Sequence, residues 1–359
     1  MRTTVFKLAL VLTVAAATTS VSVLARTAPA GPSLTSIGAL SFGADGTLFA
    51  ADPMAATIFA MDLGRSAAPA GTANVDGLDQ KIAALAGTAA TEIAIKDIAV
   101  DPKSHNTLVS VMRGVGATAQ PALFRVDGKG DVALVALDAV KFSSVALPNP
   151  VAAATTGRNQ RSQSVTQMEL VDGKLYVTGL SNEEFSSKFW AIPYPFKSAD
   201  QGTSVEIWHT SHNRFETAAP ILAFVPKKVN GQTDFIAGYT CTPLVRFPIA
   251  DLKPGSKVMG TTIAELGAGN QPIDMVLYNK AGHEYVLMAN TRHGVLKIST
   301  DQFATAPGLT AKVDTTAGVP AEKITSVSNV VQLSLLDTNR SVMLMKINNA
   351  FNLAAVDLP

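Results

Sequence analysis

The segment 208–216, which reads Trp-His-Thr-Ser-His-Asn-Arg-Phe-Glu, holds the side chains best suited to metal chemistry. His209 and His212 are three residues apart, and Glu216 follows four residues later. Imidazole nitrogens and carboxylate oxygens are ligands of zinc and related divalent metals. His293 is predicted to reach the same end of the fold, so we expect these four residues to hold one divalent metal ion. The alternative is a polar loop whose histidines only form hydrogen bonds.

Five further polar residues are predicted to lie at the same end of the fold. Asp97 and Asp274 occupy equivalent positions near the starts of two strands, Gln167 starts a third strand, and Arg113 and Arg292 stand in loops. Carboxylates in such a place can hold Ca²⁺ or act as a general base, and arginine matches the geometry of a substrate carboxylate. These five residues are therefore predicted to bind a small ligand. The alternative is that the aspartates hold strand amides or pair with the arginines.

Cys241 is the only cysteine of the chain, so the chain cannot form an internal disulfide. A free cysteine is usually buried as a small apolar side chain, and this is the first interpretation of Cys241. Its predicted loop lies at the same end as the histidines. The thiol can there serve instead as a metal ligand, or as a nucleophile with His293 as its base.

A repeated unit of strand, tight turn, strand, loop and strand runs along the chain. Its first strands begin near residues 37, 96, 166, 220, 272 and 330, about 50–70 residues apart. The strands are rich in Val, Ile, Leu and Thr, and Gly, Asp, Asn and Pro separate them, which is typical of an all-β fold. Such repeats predict a single β-propeller. Six first strands predict six blades, and the chain length allows seven as the alternative.

Two stretches interrupt this rhythm. Residues 77–87 carry apolar side chains at helical spacing, with Asp79 near the start, and predict a short helical insertion. Residues 151–164 predict a long polar loop. The last repeat has three strands, and an open sheet edge would leave backbone amides unpaired. We therefore expect residues 26–36 to lie along the last blade and complete it.

The first residues have the character of a secretory signal peptide. Arg2 and Lys7 make the start positive, an apolar run covers residues 8–17, and Val23-Leu24-Ala25 is a small-residue cleavage pattern. The apolar run is too short to span a membrane. The sequence thus predicts a signal peptide over residues 1–25, a propeller domain over residues 26–359, and a periplasmic or secreted protein.

The charge distribution limits the classes of partner. The formal net charge is +1, and no block of basic or acidic residues stands out, which gives no support to nucleic acid as a partner. No later segment is long and apolar enough to predict a membrane span. We expect the protein to be a monomer that binds a small molecule or another envelope protein.

The turn Asp-Gly-x-Leu occurs at residues 45–48 and 172–175. Together with the strand rhythm, it makes the mature chain resemble the NHL, SMP-30/gluconolactonase-like and YncE-like propellers of bacterial envelopes. For the lactonases, the resemblance implies one divalent ion held by a Glu, Asn-type groups and an Asp. At the start of the first blade this chain has Ser-Ile-Gly-Ala at residues 36–39, so the corresponding Glu is missing.

Three functions are consistent with these observations. The first is a propeller that binds a small ligand at the mouth of its central channel, through a divalent metal. The second is an enzyme at the same mouth, either a lactonase-like hydrolase or a metal oxidoreductase. The third is a non-catalytic scaffold for protein interactions. Detection of a bound metal ion would distinguish the first two functions from the third.

Overall fold

The computed structural model describes residues 31–154, 159–241 and 243–359. The predicted signal peptide lies outside the described residues, as do residues 155–158 of the predicted polar loop. Within the described ranges the chain forms strands and one α-helix, and the strands make six sheets. The prediction of an all-β, six-bladed propeller is confirmed, because neither the helical insertion nor the described part of the polar loop forms a seventh blade.

The strands are numbered in chain order. They are β1 Leu40–Phe42, β2 Leu48–Asp52, β3 Thr57–Asp62, β4 Ile93–Val100, β5 Thr107–Arg113, β6 Gln120–Val126, β7 Val132–Leu134, β8 Lys141–Ala146, β9 Gln167–Val171, β10 Lys174–Leu180, β11 Ser187–Pro193, β12 Thr203–His209 and β13 Arg214–Glu216. They continue as β14 Ile221–Val229, β15 Gln232–Tyr239, β16 Pro243–Pro248, β17 Lys257–Met259, β18 Thr261–Glu265, β19 Pro272–Lys280, β20 His283–Asn290, β21 Gly294–Ser299, β22 Ala317–Gly318, β23 Glu322–Ile324, β24 Val330–Leu335, β25 Arg340–Ile347 and β26 Ala350–Asp357.

Each blade is a sheet whose first strand lies innermost. The sheets, written from the channel outward, are β1-β2-β3-β8, β4-β5-β6-β7, β9-β10-β11-β12-β13, β14-β15-β16-β18-β22, β19-β20-β21-β23 and β24-β25-β26, with β17 added in parallel to β12. The outer strand of the first blade, β8, follows the whole second blade in the chain. The first blade is therefore completed only after the second has been made.

The order of the blades around the ring differs from their order in the chain. Each of six apolar clusters joins two blades, and together they give the ring order second, first, third, fourth, fifth, sixth. Leu344 of the sixth blade, for example, packs with Val109 of the second, while Phe49 of the first packs with Met168 of the third. Because each blade buries both faces on its neighbours, these clusters hold the ring closed.

The last blade is completed by the link between the first two blades. Val75 forms a two-way backbone bridge with Leu353 of β26, and the Asp79 carboxylate accepts a hydrogen bond from the Phe351 amide. Asp79 stands in the first turn of the predicted helix, observed as α1 Leu78–Ala86, which ends at Gly87 with φ +67°. The link reaches β26 because the second blade, not the first, lies beside the sixth.

The expectation that residues 26–36 complete the last blade is wrong for the part that the structure describes. The amide of Thr35 donates to Oδ2 of Asp52 at 2.6 Å, and the Ser36 hydroxyl donates to Oδ1 of the same carboxylate at 2.5 Å. Asp52 ends β2, so these residues lie against the first blade. Among the described residues, no helix is long and apolar enough to cross a membrane.

Candidate functional site

A β-hairpin at the outer side of the third blade carries the predicted histidines. Strand β12 ends at His209, a tight turn follows, and β13 returns so that His209 lies opposite Arg214. The His212 amide donates to the carbonyl of His209 at 3.2 Å, and Asn213 adopts φ +54°, a left-handed conformation that Asn tolerates. The hairpin places both imidazole rings on one side, with ring centroids 3.9 Å apart.

Glu216 connects the two rings. Its Oε2 lies 2.5 Å from Nδ1 of His209, and its Oε1 lies 2.7 Å from Nδ1 of His212 and accepts from Nε of Arg214 at 2.8 Å. Burial by itself would raise the pKa of Glu216, but these three hydrogen-bond partners outweigh it and lower the pKa to about 2. The carboxylate is thus ionised and fixes the orientation of both rings.

The ring nitrogens opposite Glu216 are the ones free to bind a metal. His209 is 1% exposed, and its Nε2 is buried without a hydrogen-bond partner among the described residues. An imidazole nitrogen in this state is unusual, since buried polar groups are nearly always paired. His212 is 41% exposed and faces solvent, so an ion can reach the pair.

Cys241 comes to this pair from the next blade. It stands in the turn between β15 and β16, with φ +64°, a conformation that is uncommon outside glycine. One ligand atom from each of His209, His212 and Cys241 can be chosen so that all three lie within 4.8 Å of one another. A tetrahedral zinc ion holds two nitrogens and one sulfur about 3.3–3.6 Å apart, so binding requires the side chains to approach one another by no more than about 1 Å.

A cavity of about 430 Å³ borders this group and is called the histidine pocket. Its wall includes His209, His212 and Glu216, the stretch 217–220 that leads to β14, and Thr240 next to the thiol. Cys241 is not among the described lining residues of this pocket. An ion held by the two histidines would face the cavity and keep a coordination position open there to water or a ligand, as catalytic zinc does.

Three of the other predicted site residues lie apart from the histidine pocket. His293 borders a separate cavity with Glu265 and Leu266, and among the described residues it is not in the group of side chains close enough together to share one metal ion. Arg113 at the end of β5 and Arg292 in the turn after β20 are exposed. Among the described lining residues, neither arginine borders the histidine pocket or the central channel.

The remaining predicted residues form a collar around the channel, made of Asp97, Gln167 and Asp274. Oδ1 of Asp97 accepts from the Ile98 amide at 2.8 Å and Oδ2 from the Leu40 amide at 2.7 Å. Gln167 makes the same local bond, with Oε1 accepting from the amide that follows it at 2.9 Å. The collar residues thus hold strand amides, which is the alternative considered for the two aspartates.

Asp274 repeats this pattern in the fifth blade, which the sixth blade separates from the blade of Asp97. Its Oδ1 accepts from the Met275 amide at 2.8 Å, and its Oδ2 accepts from the Leu333 amide of the sixth blade at 3.2 Å. Burial, followed by the charge of Asp97, raises the pKa of Asp274 well above its usual range. Burial likewise raises the pKa of Asp97 to about 7, against the effect of its two amide bonds.

Glu169 lies next to the collar in a channel cavity of about 390 Å³. Its side chain is partly exposed to the channel, and burial in the ring raises its pKa to about 7. Its charge also raises the pKa of Asp274. Three acids around one narrow channel therefore bind protons more readily than free carboxyls do.

Glu169→Gln is expected to flatten the pH dependence of stability. The carboxyl pKa is about 7 in the fold and about 4.3 in an unfolded chain. The contribution of this carboxyl to the free energy of unfolding is therefore largest below pH ~4, falls as the pH rises from ~4 to ~7, and is constant above that. Relative to the wild type, the free energy of unfolding of the variant should be on the order of 1 kcal/mol more favourable at pH 8 than at pH 5, as measured by urea denaturation. Exposed Glu322→Gln is the control, and equal pH profiles for wild type and Glu169→Gln would contradict the assignment.

Cys241 was interpreted first as a buried apolar side chain, and Glu169 was not among the predicted site residues. Both carried a signal. Glu169 is a carboxylate between the apolar Met168 and Leu170 of an innermost strand, and Cys241 lies in a turn that the blade alternation puts at the same end as His209. The distance between Cys241 and the histidines depends on the packing of the third and fourth blades, which no local pattern contains.

The solved structures that match this chain do so at low sequence identity and with low TM-scores. No protein-family model and no curated protein sequence matches the chain. A PQQ-bound aldose sugar dehydrogenase from Streptomyces coelicolor is 12% identical, with a TM-score of 0.31 over 93% of this chain and 96% of that one. A selenomethionine-substituted virginiamycin B lyase from Staphylococcus aureus is 9% identical, with a TM-score of 0.36 over 90% and 96%. The resemblance to NHL, SMP-30-like or YncE-like propellers stays a prediction at the level of the family.

Proposed function

We propose that the protein binds one divalent transition metal ion through His209, His212 and Cys241, and presents it to a small ligand in the histidine pocket. The observation that carries the proposal is the unpartnered, buried Nε2 of His209, in a ring whose other nitrogen is held by Glu216. In metal sites a histidine commonly donates its second nitrogen to a carboxylate in this way.

The ligand set favours zinc or copper over magnesium and calcium. Thiolate and imidazole suit these softer ions, whereas magnesium and calcium take oxygen ligands. Glu216 then serves as the orienting carboxylate instead of a direct ligand, because both of its oxygens are already engaged by ring nitrogens. His293 is not part of the proposed set.

Metal stoichiometry tests the proposal. The protein, purified without a histidine tag and under reducing conditions, is stripped with EDTA, dialysed against Zn²⁺ or Cu²⁺ and measured by elemental analysis. One ion per chain is expected for the wild type and for His283→Ala, whose exposed ring pairs with Asp301 away from the site. His212→Ala and Cys241→Ser should each lose the ion while keeping the far-UV CD spectrum. Full metal content in both would overturn the proposal.

A metal-dependent enzyme is the second candidate function. The observation that favours it is the histidine pocket itself, since about 430 Å³ of open space lies beside His209 and His212. Zinc with three protein ligands lowers the pKa of a bound water and can polarise a carbonyl. Hydrolysis of an ester or lactone that requires the ion, and is lost in Cys241→Ser, would support the enzyme.

We propose that residues 1–25 are a signal peptide that directs export of the protein. When the full chain is produced in a Gram-negative bacterium, the mature protein should be found in the periplasm or the medium, with Arg26 as its first residue. N-terminal sequencing or intact mass measures this directly. A cytoplasmic protein that keeps residues 1–25 would contradict the proposal.

A further inference from the structure

Four of the six innermost strands, β4, β14, β19 and β24, share a bulge close to their first residues. The strand registers shift by one residue at Lys96, Leu222, Ile273 and Val331. A bulged residue has no partner in the ladder and re-aims its side chain. In β4 and β19 the collar aspartate follows immediately, with its carboxylate turned to strand amides. The bulged residue and the collar residue thus serve two different cavities.

Three of the bulged residues, Lys96, Leu222 and Ile273, line a cavity of about 590 Å³ that we call the mouth cavity. Pockets of this size commonly hold small organic ligands. Most of the other lining residues are apolar or glycine, among them Ile37 and Met54. Among the described lining residues, Lys96 is the only one with a charged side chain.

Lys96 has no carboxylate to neutralise it. It forms no ion pair within the described part of the chain. The nearest carboxylate in sequence, that of Asp97, accepts from the amides of Leu40 and Ile98 and lines the channel cavity instead. A single ammonium group at the rim of an apolar cavity is complementary to a ligand with one anionic group and an apolar body.

We propose that the mouth cavity binds a monocarboxylate with an apolar body, whose carboxylate pairs with Lys96 while its body packs on Leu222 and Ile273. The site is separate from the proposed metal ion, and the inference does not rest on it. The apolar part supplies most of the affinity, since each buried methylene strengthens binding about fourfold. The exposed Lys96 supplies selectivity for the anion of about threefold to tenfold.

Calorimetric titration of the full-length mature protein with butanoate, hexanoate and octanoate tests this, with 1-octanol and octylamine as matched probes. Affinity should rise with the chain length of the carboxylate. Octanoate should bind at least threefold more tightly than octanol, and octylamine should bind more weakly than octanol. Equal affinity for the three head groups, or no saturable binding of octanoate, would overturn the proposal on the wild type alone.

Variants assign the contacts. Lys96→Met should abolish the preference for octanoate over octanol, whereas Lys96→Arg and the exposed control Lys129→Met should keep it. Leu222→Asn should weaken octanoate and octanol alike. A Lys96→Met protein that keeps the preference would contradict the role of Lys96. His212→Ala should bind octanoate as the wild type does, which separates this site from the metal site.

Discussion

Glu216→Gln is expected to weaken binding of the metal ion by about 10–100-fold without changing the stoichiometry of one ion per chain. Glu216 bonds Nδ1 of both histidines, and its ionised carboxylate sets which nitrogen of each ring is free. Glutamine can accept a hydrogen bond from one ring N–H with its carbonyl oxygen, but its amide nitrogen is a donor and conflicts with the N–H of the second ring. Competition against a chelator of known affinity measures the change.

The control for this substitution is Glu184→Gln, at an exposed position on the third blade. It removes the same charge from the same blade without touching either histidine, so its metal affinity should equal that of the wild type. If Glu216→Gln also binds the ion as tightly as the wild type, the orienting role of the carboxylate is wrong, even if the three ligands are right.

Asp274→Ala is expected to lower the free energy of unfolding by about 2–5 kcal/mol. The substitution removes the acceptor for two buried amides, those of Met275 and Leu333, and each unsatisfied donor costs about 1–3 kcal/mol. The Leu333 amide belongs to the sixth blade, so the contact between two blades is weakened as well. Asp274→Asn keeps an acceptor oxygen without a charge and should lose less. Urea denaturation measures both.

Asp97→Ala provides an independent replicate, because Asp97 makes the equivalent bonds to Ile98 and to Leu40 of the first blade. The exposed Asp357→Ala should change stability by less than about 0.5 kcal/mol. If Asp274→Ala and Asp97→Ala unfold at the same urea concentration as the wild type, the collar does not hold the blades together. Ligand binding would then be the better interpretation of these two carboxylates.

The fold was predictable because the signals that define it are local. Strand alternation, tight turns and the repeat identify six inner strands, and helical spacing with Asp79 identifies α1. The order of the blades around the ring was not predictable in the same way. It depends on which blade faces pack on each other, and β8 returns to the first blade before the third blade begins.

The same distinction applies to the candidate site. His209, His212 and Glu216 were predicted together because a single hairpin holds them, so their proximity follows from nearby sequence. Cys241 and His293 both belong to turns at the predicted end of the fold. Only the packing of the third blade on the fourth brings the thiol, and not His293, to the histidines.

X-ray absorption spectroscopy of the zinc-loaded protein identifies the atoms bound to the ion, and so tests directly whether His209, His212 and Cys241 hold it. One sulfur at about 2.3 Å and two imidazole nitrogens at about 2.0–2.1 Å are expected, with an oxygen or nitrogen as the fourth ligand. In Cys241→Ser, any residual zinc should show no sulfur. A wild-type spectrum with only nitrogen and oxygen around the ion would show that Cys241 is not a ligand.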